Sequence, residues 1–139
     1  MQIILQDDRR YIVRFDKGDE VVSALKKFLT EQNITASTFS GIGASGLAEL
    51  SYFNLETKKY QNKTFNEDLE IVSLTGNSAV LNGETALHAH CVLSKSDFST
   101  LGGHVIKLVV SATCEIFLIK LDGAMERKLD PETSLNLLA

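Results

Sequence analysis

The chain carries three histidines: His88 and His90 in Leu87-His88-Ala89-His90, and His104 in Gly102-Gly103-His104. Side chains alternate along an extended strand, so His88 and His90 project from one face. A third imidazole arriving from a neighbouring strand completes a three-nitrogen set. Such a set suits Zn²⁺ or another borderline transition metal and leaves a coordination position open. The glycine pair before His104 lets its backbone come close to the other ligands. The competing reading is a polar stripe or a hydrogen-bond network, and spacing alone does not separate the two.

Two carboxylates interrupt apolar strands: Glu70 in Leu69-Glu70-Ile71-Val72 and Glu115 in Cys114-Glu115-Ile116-Phe117. A carboxylate among core residues needs a partner or a raised pKa. Either one is a candidate to hold a histidine N–H behind a metal, or to act as base towards a metal-activated water in a hydrolase-type enzyme. The plainer alternative is a solvent-facing residue, or an ion pair with Arg14 or Arg127. The expected site is therefore His88, His90 and His104 as metal ligands, with Glu70, Glu115 and Asn77 as candidates for the pocket around them. No residue is assigned a catalytic role.

Other chemistry is thin. Gly41-Ile42-Gly43-Ala44-Ser45-Gly46 spells G-x-G-x-x-G. A dinucleotide site would need a helix opening at the third glycine to meet the pyrophosphate. Leu47–Phe53 is too short for that crossover and reads as a strand, so the glycines are expected to make a strand-to-strand bend. Cys91 points away from the face that carries the histidines. Ser94, Ser96 and Ser99 have no acid placed to complete a triad.

The elements that must position the histidines are mostly strands. Alternation over Tyr11–Phe15 predicts a first strand. Lys17-Gly18-Asp19 ends it, with Asp19 as the expected N-cap of a helix that carries Val21, Val22, Leu25, Phe28 and Leu29 and stops at Asn33. Strands follow over Thr35–Ser40, Leu47–Phe53, Lys59–Phe65, and Leu69–Thr75 closed by Gly76-Asn77. Ala86–Ser94 bears two histidines, His104–Val110 and Ala112–Leu121 read as central strands, and Met125–Leu129 as an edge. Leu135, Leu137 and Leu138 are expected to pack on the domain or a partner. One helix against many tightly connected strands is an α+β plan with a largely antiparallel or mixed sheet.

The 139 residues make one domain, 1–139, with 44% hydrophobic and 23% charged residues and one proline, which leaves no disordered or linker segment. The formal charge is −4. Binding DNA through its phosphates needs a basic surface, and here the basic residues are scattered, which argues against autonomous DNA binding. The opening residues are too acidic for a signal peptide and no apolar run spans a bilayer, so a cytoplasmic protein with reduced Cys91 and Cys114 is expected.

Five ordered segments carry a family resemblance. They are Phe39-Ser40-Gly41-Ile42-Gly43-Ala44, Leu69–Asn77, Leu87-His88-Ala89-His90, Gly102-Gly103-His104-Val105 and Ala112-Thr113-Cys114-Glu115-Ile116. Together they resemble the plants-and-prokaryotes conserved (PPC) domain, which accompanies AT-hook motifs in plant nuclear proteins. The resemblance implies a homotrimer with the histidine region near subunit boundaries. It also implies a metal, zinc first, on His88, His90 and His104, as in some prokaryotic relatives. Plant relatives reach AT-rich DNA by an Arg-Gly-Arg-Pro arm that this sequence lacks. Their partner-contact pattern Gly-Arg-Phe-Glu-Ile-Leu reads Glu67-Asp68-Leu69-Glu70-Ile71-Val72 here. The histidine spacing, the acidic balance and the missing arm point to a regulatory or binding module associated with transcription through other proteins, with a weak DNA binder acting through a surface built by trimerisation as a further alternative.

Overall fold

Alternating burial along five of the strands gives the chain one apolar sheet face, and a single amphipathic helix covers part of it. The computed structural model describes Met1–Ala139. Its elements run β1 (Gln2–Gln6), β2 (Arg10–Asp16), α1 (Val21–Glu31), β3 (Ser37–Asn54), β4 (Lys59–Phe65), β5 (Leu69–Leu81), β6 (Glu84–Ser94), β7 (Thr100–Lys120), β8 (Arg127–Leu129) and β9 (Asn136–Leu138). The first seven strands form one antiparallel sheet in the order β1-β2-β7-β6-β5-β3-β4. β3 also pairs with β7, so β3, β5, β6 and β7 close into a ring. The α+β class with one helix and an antiparallel sheet is thereby established.

The core lies inside this ring and under the helix. Val13, Phe15, Leu93, Leu108, Cys114 and Ile116 are fully buried. Helix α1 adds Val21, Leu25, Phe28 and Leu29 to the same cluster, with Phe28 edge-on to Tyr11 at a ring separation of 5.5 Å. The core faces of β6 and β7 are thus sealed, and the residues between the buried ones point outward.

Several boundaries differ from the sequence reading. The helix is capped by Glu20, whose carboxylate accepts from Val22 N and Ser23 N, and not by Asp19. Asp19 is engaged elsewhere, accepting from the Met1 ammonium at 2.8 Å and from Asp16 N at 2.9 Å. β1 was not expected. It is exposed along its whole length and lacks the half-buried alternation that reveals a strand.

The two expected strands across Gly41–Gly43 are one continuous strand, β3, as are the two expected between His104 and Leu121, which form β7. The glycines mark a close crossing of these strands. A Cβ on Gly41 would stand 2.7 Å from the Glu115 carbonyl oxygen, and one on Gly43 would stand 2.2 Å from that of Thr113. The G-x-G-x-x-G stretch therefore lies inside a strand, with no helix for a dinucleotide to meet. β5 likewise runs through Gly76-Asn77 to Leu81. The leucine-rich tail folds back as β9 on β8. No helix is long and apolar enough to cross a membrane.

Candidate metal centre

The site is assembled by strand register. On β6, Ala89, Cys91 and Leu93 face the core, so His88 and His90 emerge on the outer side. His90 is paired with His104 across β6–β7, while His88 is paired with Asn77 across β5–β6. Gly102 and Gly103 permit this approach. A Cβ at Gly102 would sit 2.7 Å from the Cys91 carbonyl oxygen, and one at Gly103 would sit 3.0 Å from that of Ser51. His104 is also opposite Ser51 of β3, so the third imidazole stands where β7 passes from one neighbour to the next.

The three rings converge. Their centroids lie 5.1 Å apart for His88–His90, 5.0 Å for His88–His104 and 5.4 Å for His90–His104. One nitrogen from each lies within 4.8 Å of the others, and the Nε2 atoms of His88 and His90 are 3.2 Å apart. Tetrahedral zinc with bonds of about 2.0–2.1 Å places its nitrogens roughly 3.3 Å from one another. The spacing and the all-imidazole donor set therefore fit such an ion. Tyr60 of β4 lies against the His104 ring at 5.8 Å.

The electrostatics keep two of the imidazoles neutral. Burial lowers the pKa of His104 to about 4, with His88, His90 and Arg127 adding to the effect. His88 is also lowered, first by burial, then by Arg127 and His90. Neutral imidazole is the form that offers a lone pair to a metal.

Arg127 was missed as a site residue. It comes from β8, folded against the end of β5, and lines a cavity of about 250 Å³ together with His88 and His104. Its Nη2 donates to Asn77 Oδ1 at 2.7 Å and its Nη1 to the Asn136 carbonyl at 2.8 Å. Asn77 thereby orients this guanidinium, which the folded-back tail brings into reach.

Glu70 and Glu115 do not join the histidines. Both are exposed and line a separate surface cavity with Ile42, Gly43 and Val72. Glu70 pairs with Ser94, four residues beyond His90 on β6, and Glu115 lies eleven residues beyond His104 on β7. At about 3.3 Å per residue, neither carboxylate reaches the imidazoles. No acidic residue lines the histidine cavity, so a metal-activated water with Glu70 or Glu115 as base has no base in place. Neither carboxylate forms an ion pair with Arg14 or Arg127, although Glu115 stands opposite Arg14 in the β2–β7 register. Arg14 pairs with Asp16, and Arg127 has no acidic partner. Burial pushes the Cys91 thiol up to about 11 and, with Glu115 beside it, the Cys114 thiol up to about 12. Both cysteines are free.

The sequence profile of the Plants and Prokaryotes Conserved (PCC) domain matches residues 4–122. The chain belongs to this family. Among solved structures, a Bacteroides thetaiotaomicron protein provisionally described as DNA-binding is 34% identical, with a TM-score of 0.93 over 97% of this chain and 94% of that one. The metal-containing protein of Archaeoglobus fulgidus is also 34% identical, with a TM-score of 0.89 over 100% of this chain and 99% of that one. A plant- and prokaryote-conserved (PPC) protein of Pyrococcus horikoshii is 32% identical, with a TM-score of 0.88 over 94% of this chain and 91% of that one. No curated protein matches the chain. The PCC-domain sheet thus places its histidines at the outer seam of β5, β6 and β7.

Proposed function

We propose that this PCC-domain protein is a homotrimeric binding module that holds a divalent transition metal, zinc first, on His88, His90 and His104. The observation that carries the reading is the convergence of three imidazole nitrogens within 4.8 Å. The lowered pKa values of His88 and His104 support it, as does the metal-containing A. fulgidus relative. A bound metal supplies a Lewis-acidic centre with an open position. The chain's own residues fix its ligands and shape the cavity beside it. Metal analysis of the purified protein tests the reading. The wild type should carry about one ion per chain and the His88→Ala/His104→Ala variant none, and equal content in both would remove the site.

The trimer is supported by an apolar outer surface. Ile42, Val72, Phe117 and Ile119 are between 46% and 57% exposed, and apolar residues left to water on the outer side of the sheet suit burial against another copy of the chain. Sedimentation equilibrium should return three chains. The chain's net charge of −4 leaves direct DNA binding out of the proposal, and any role in transcription runs through protein partners. DNA binding at low ionic strength that weakens steeply with salt would reverse that choice. Its two free, buried cysteines fit a reducing, cytoplasmic setting.

A further inference from the structure

Of the four arginines, three are paired with aspartates: Arg9 with Asp122, Arg10 with Asp7 and Arg14 with Asp16. Arg127 has no acidic partner. Its two protein hydrogen bonds go to uncharged acceptors, the Asn77 side chain and the Asn136 carbonyl. A guanidinium has five N–H donors, so three are left without a protein acceptor. Of these, Nε is buried with no partner and closed to a ligand, which leaves one N–H on each of Nη1 and Nη2 to meet an anion. A half-buried cation with unmet donors is costly and calls for an anion.

The surroundings raise that demand. The cavity that Arg127 shares with His88 and His104 contains no acidic residue. A divalent metal on three neutral imidazoles beside Arg127 brings the local charge to about +3 with no acidic residue in the cavity to offset it. The cavity wall is otherwise largely apolar, built from Leu81, Ala86, Leu87, Leu135 and Leu137. An apolar wall disfavours a multiply charged phosphate and suits a short hydrocarbon tail. The flat fork of an arginine matches the two oxygens of a carboxylate.

We propose that this cavity binds a small organic monocarboxylate, its charged end between the histidine-held metal and Arg127 and its short tail against the leucines. The proposal names the ligand class of the metal site and rests on that reading. The tail hairpin β8–β9 then has a purpose beyond packing. It delivers the one cation and two of the apolar wall residues, so the pocket exists only when the C-terminal segment is docked.

The test separates the two readings. Metal content is measured on the full-length wild type, Arg127→Met and Arg127→Lys. Each is then titrated calorimetrically with isovalerate, with the isosteric but neutral isovaleramide, and with inorganic phosphate. Thermal melts confirm that the variants are folded. Zinc-loaded wild type should bind isovalerate at least tenfold more tightly than the amide or phosphate. Arg127→Met should lose at least tenfold at unchanged metal content, and Arg127→Lys should fall between. Equal binding of acid and amide, tighter binding of phosphate, or an undiminished Arg127→Met overturns the carboxylate site while leaving the metal reading intact. If the wild type carries no metal, the metal reading fails on its own, and the same titrations on the metal-free protein decide the Arg127 site by the same comparison.

Discussion

His90 and His104 are directly paired across β6 and β7, and His88 reaches the same point from two residues back on β6. Two of the imidazoles thus share one strand and the third is fixed by interstrand register, so their convergence depends on β6–β7 pairing more than on any loop. Removing one imidazole should leave the fold intact and the ion poorly held. We expect His104→Ala to weaken zinc binding by about 100-fold or more, beyond the tenfold-to-hundredfold typical of losing a supporting residue. Zinc at a hundred times its Kd stabilises a protein by about 2.7 kcal/mol. The wild type should therefore melt several degrees higher with zinc and His104→Ala should not. A zinc-induced rise of equal size in both would place the ion elsewhere.

The convergence of the imidazoles was legible because two regularities were enough: the two-residue period that puts His88 and His90 on one face, and the glycines before His104. Helix α1 was legible from the spacing of Val21, Leu25, Phe28 and Leu29. Strand continuity was not. Gly41, Gly43 and Gly76 look like punctuation in one dimension, yet they are thin places where another strand or a ring passes close. Arg127 was illegible because its partner Asn77 lies 50 residues away and is met only through the folded tail. Glu70 and Glu115 misled because alternation tells which face a residue takes but not how far along the sheet it lies.

Gly76 offers a sharp test of this packing. A Cβ there would stand 2.4 Å from the His88 carbonyl oxygen and 2.5 Å from Phe39 Cζ. Backbone cannot yield as a flexible side chain does, so β6 must shift at His88. Gly76→Ala should destabilise by about 1–3 kcal/mol, the usual range for overpacking, and should also weaken zinc binding. Chemical denaturation and metal titration measure the two losses. Unchanged values for both would mean that β6 is not held where the histidines require it.

The lowered His104 and His88 pKa values tie stability to pH. An unfolded imidazole gains its proton near pH 6.5, whereas folded His104 resists until about 4. Between those values the unfolded chain holds more protons, so the folded state loses stability as pH falls. The contribution is complete above about pH 6.5 and is lost as pH falls towards about 4. Metal-free protein should show a falling melting temperature across this window, and His104→Gln, which cannot charge, should show a shallower fall. Parallel slopes for the two proteins would remove His104 from the account.

Glu20 joins the helix to the strand that carries His104, and it should bear on stability without touching the site. Its carboxylate accepts from Val22 N at 3.0 Å, Ser23 N at 2.8 Å and Leu108 N at 3.1 Å. Burial raises its pKa, but the hydrogen bonds from Ser23, Leu108 and Val22 outweigh that and hold it below the usual glutamate value. Losing the cap costs about 1 kcal/mol, and stranding the Leu108 N–H adds roughly 1–3 kcal/mol. Glu20→Ala should therefore destabilise by roughly 2–4 kcal/mol, and Glu20→Gln, which keeps one acceptor oxygen, by less. The helix packs on the core side of β6 and β7 while the imidazoles lie on the other side. Metal content per folded chain should accordingly match the wild type in both variants. A variant that kept its stability but lost its metal would reverse this division, because it would mean the cap acts on the histidine strands and not on the helix.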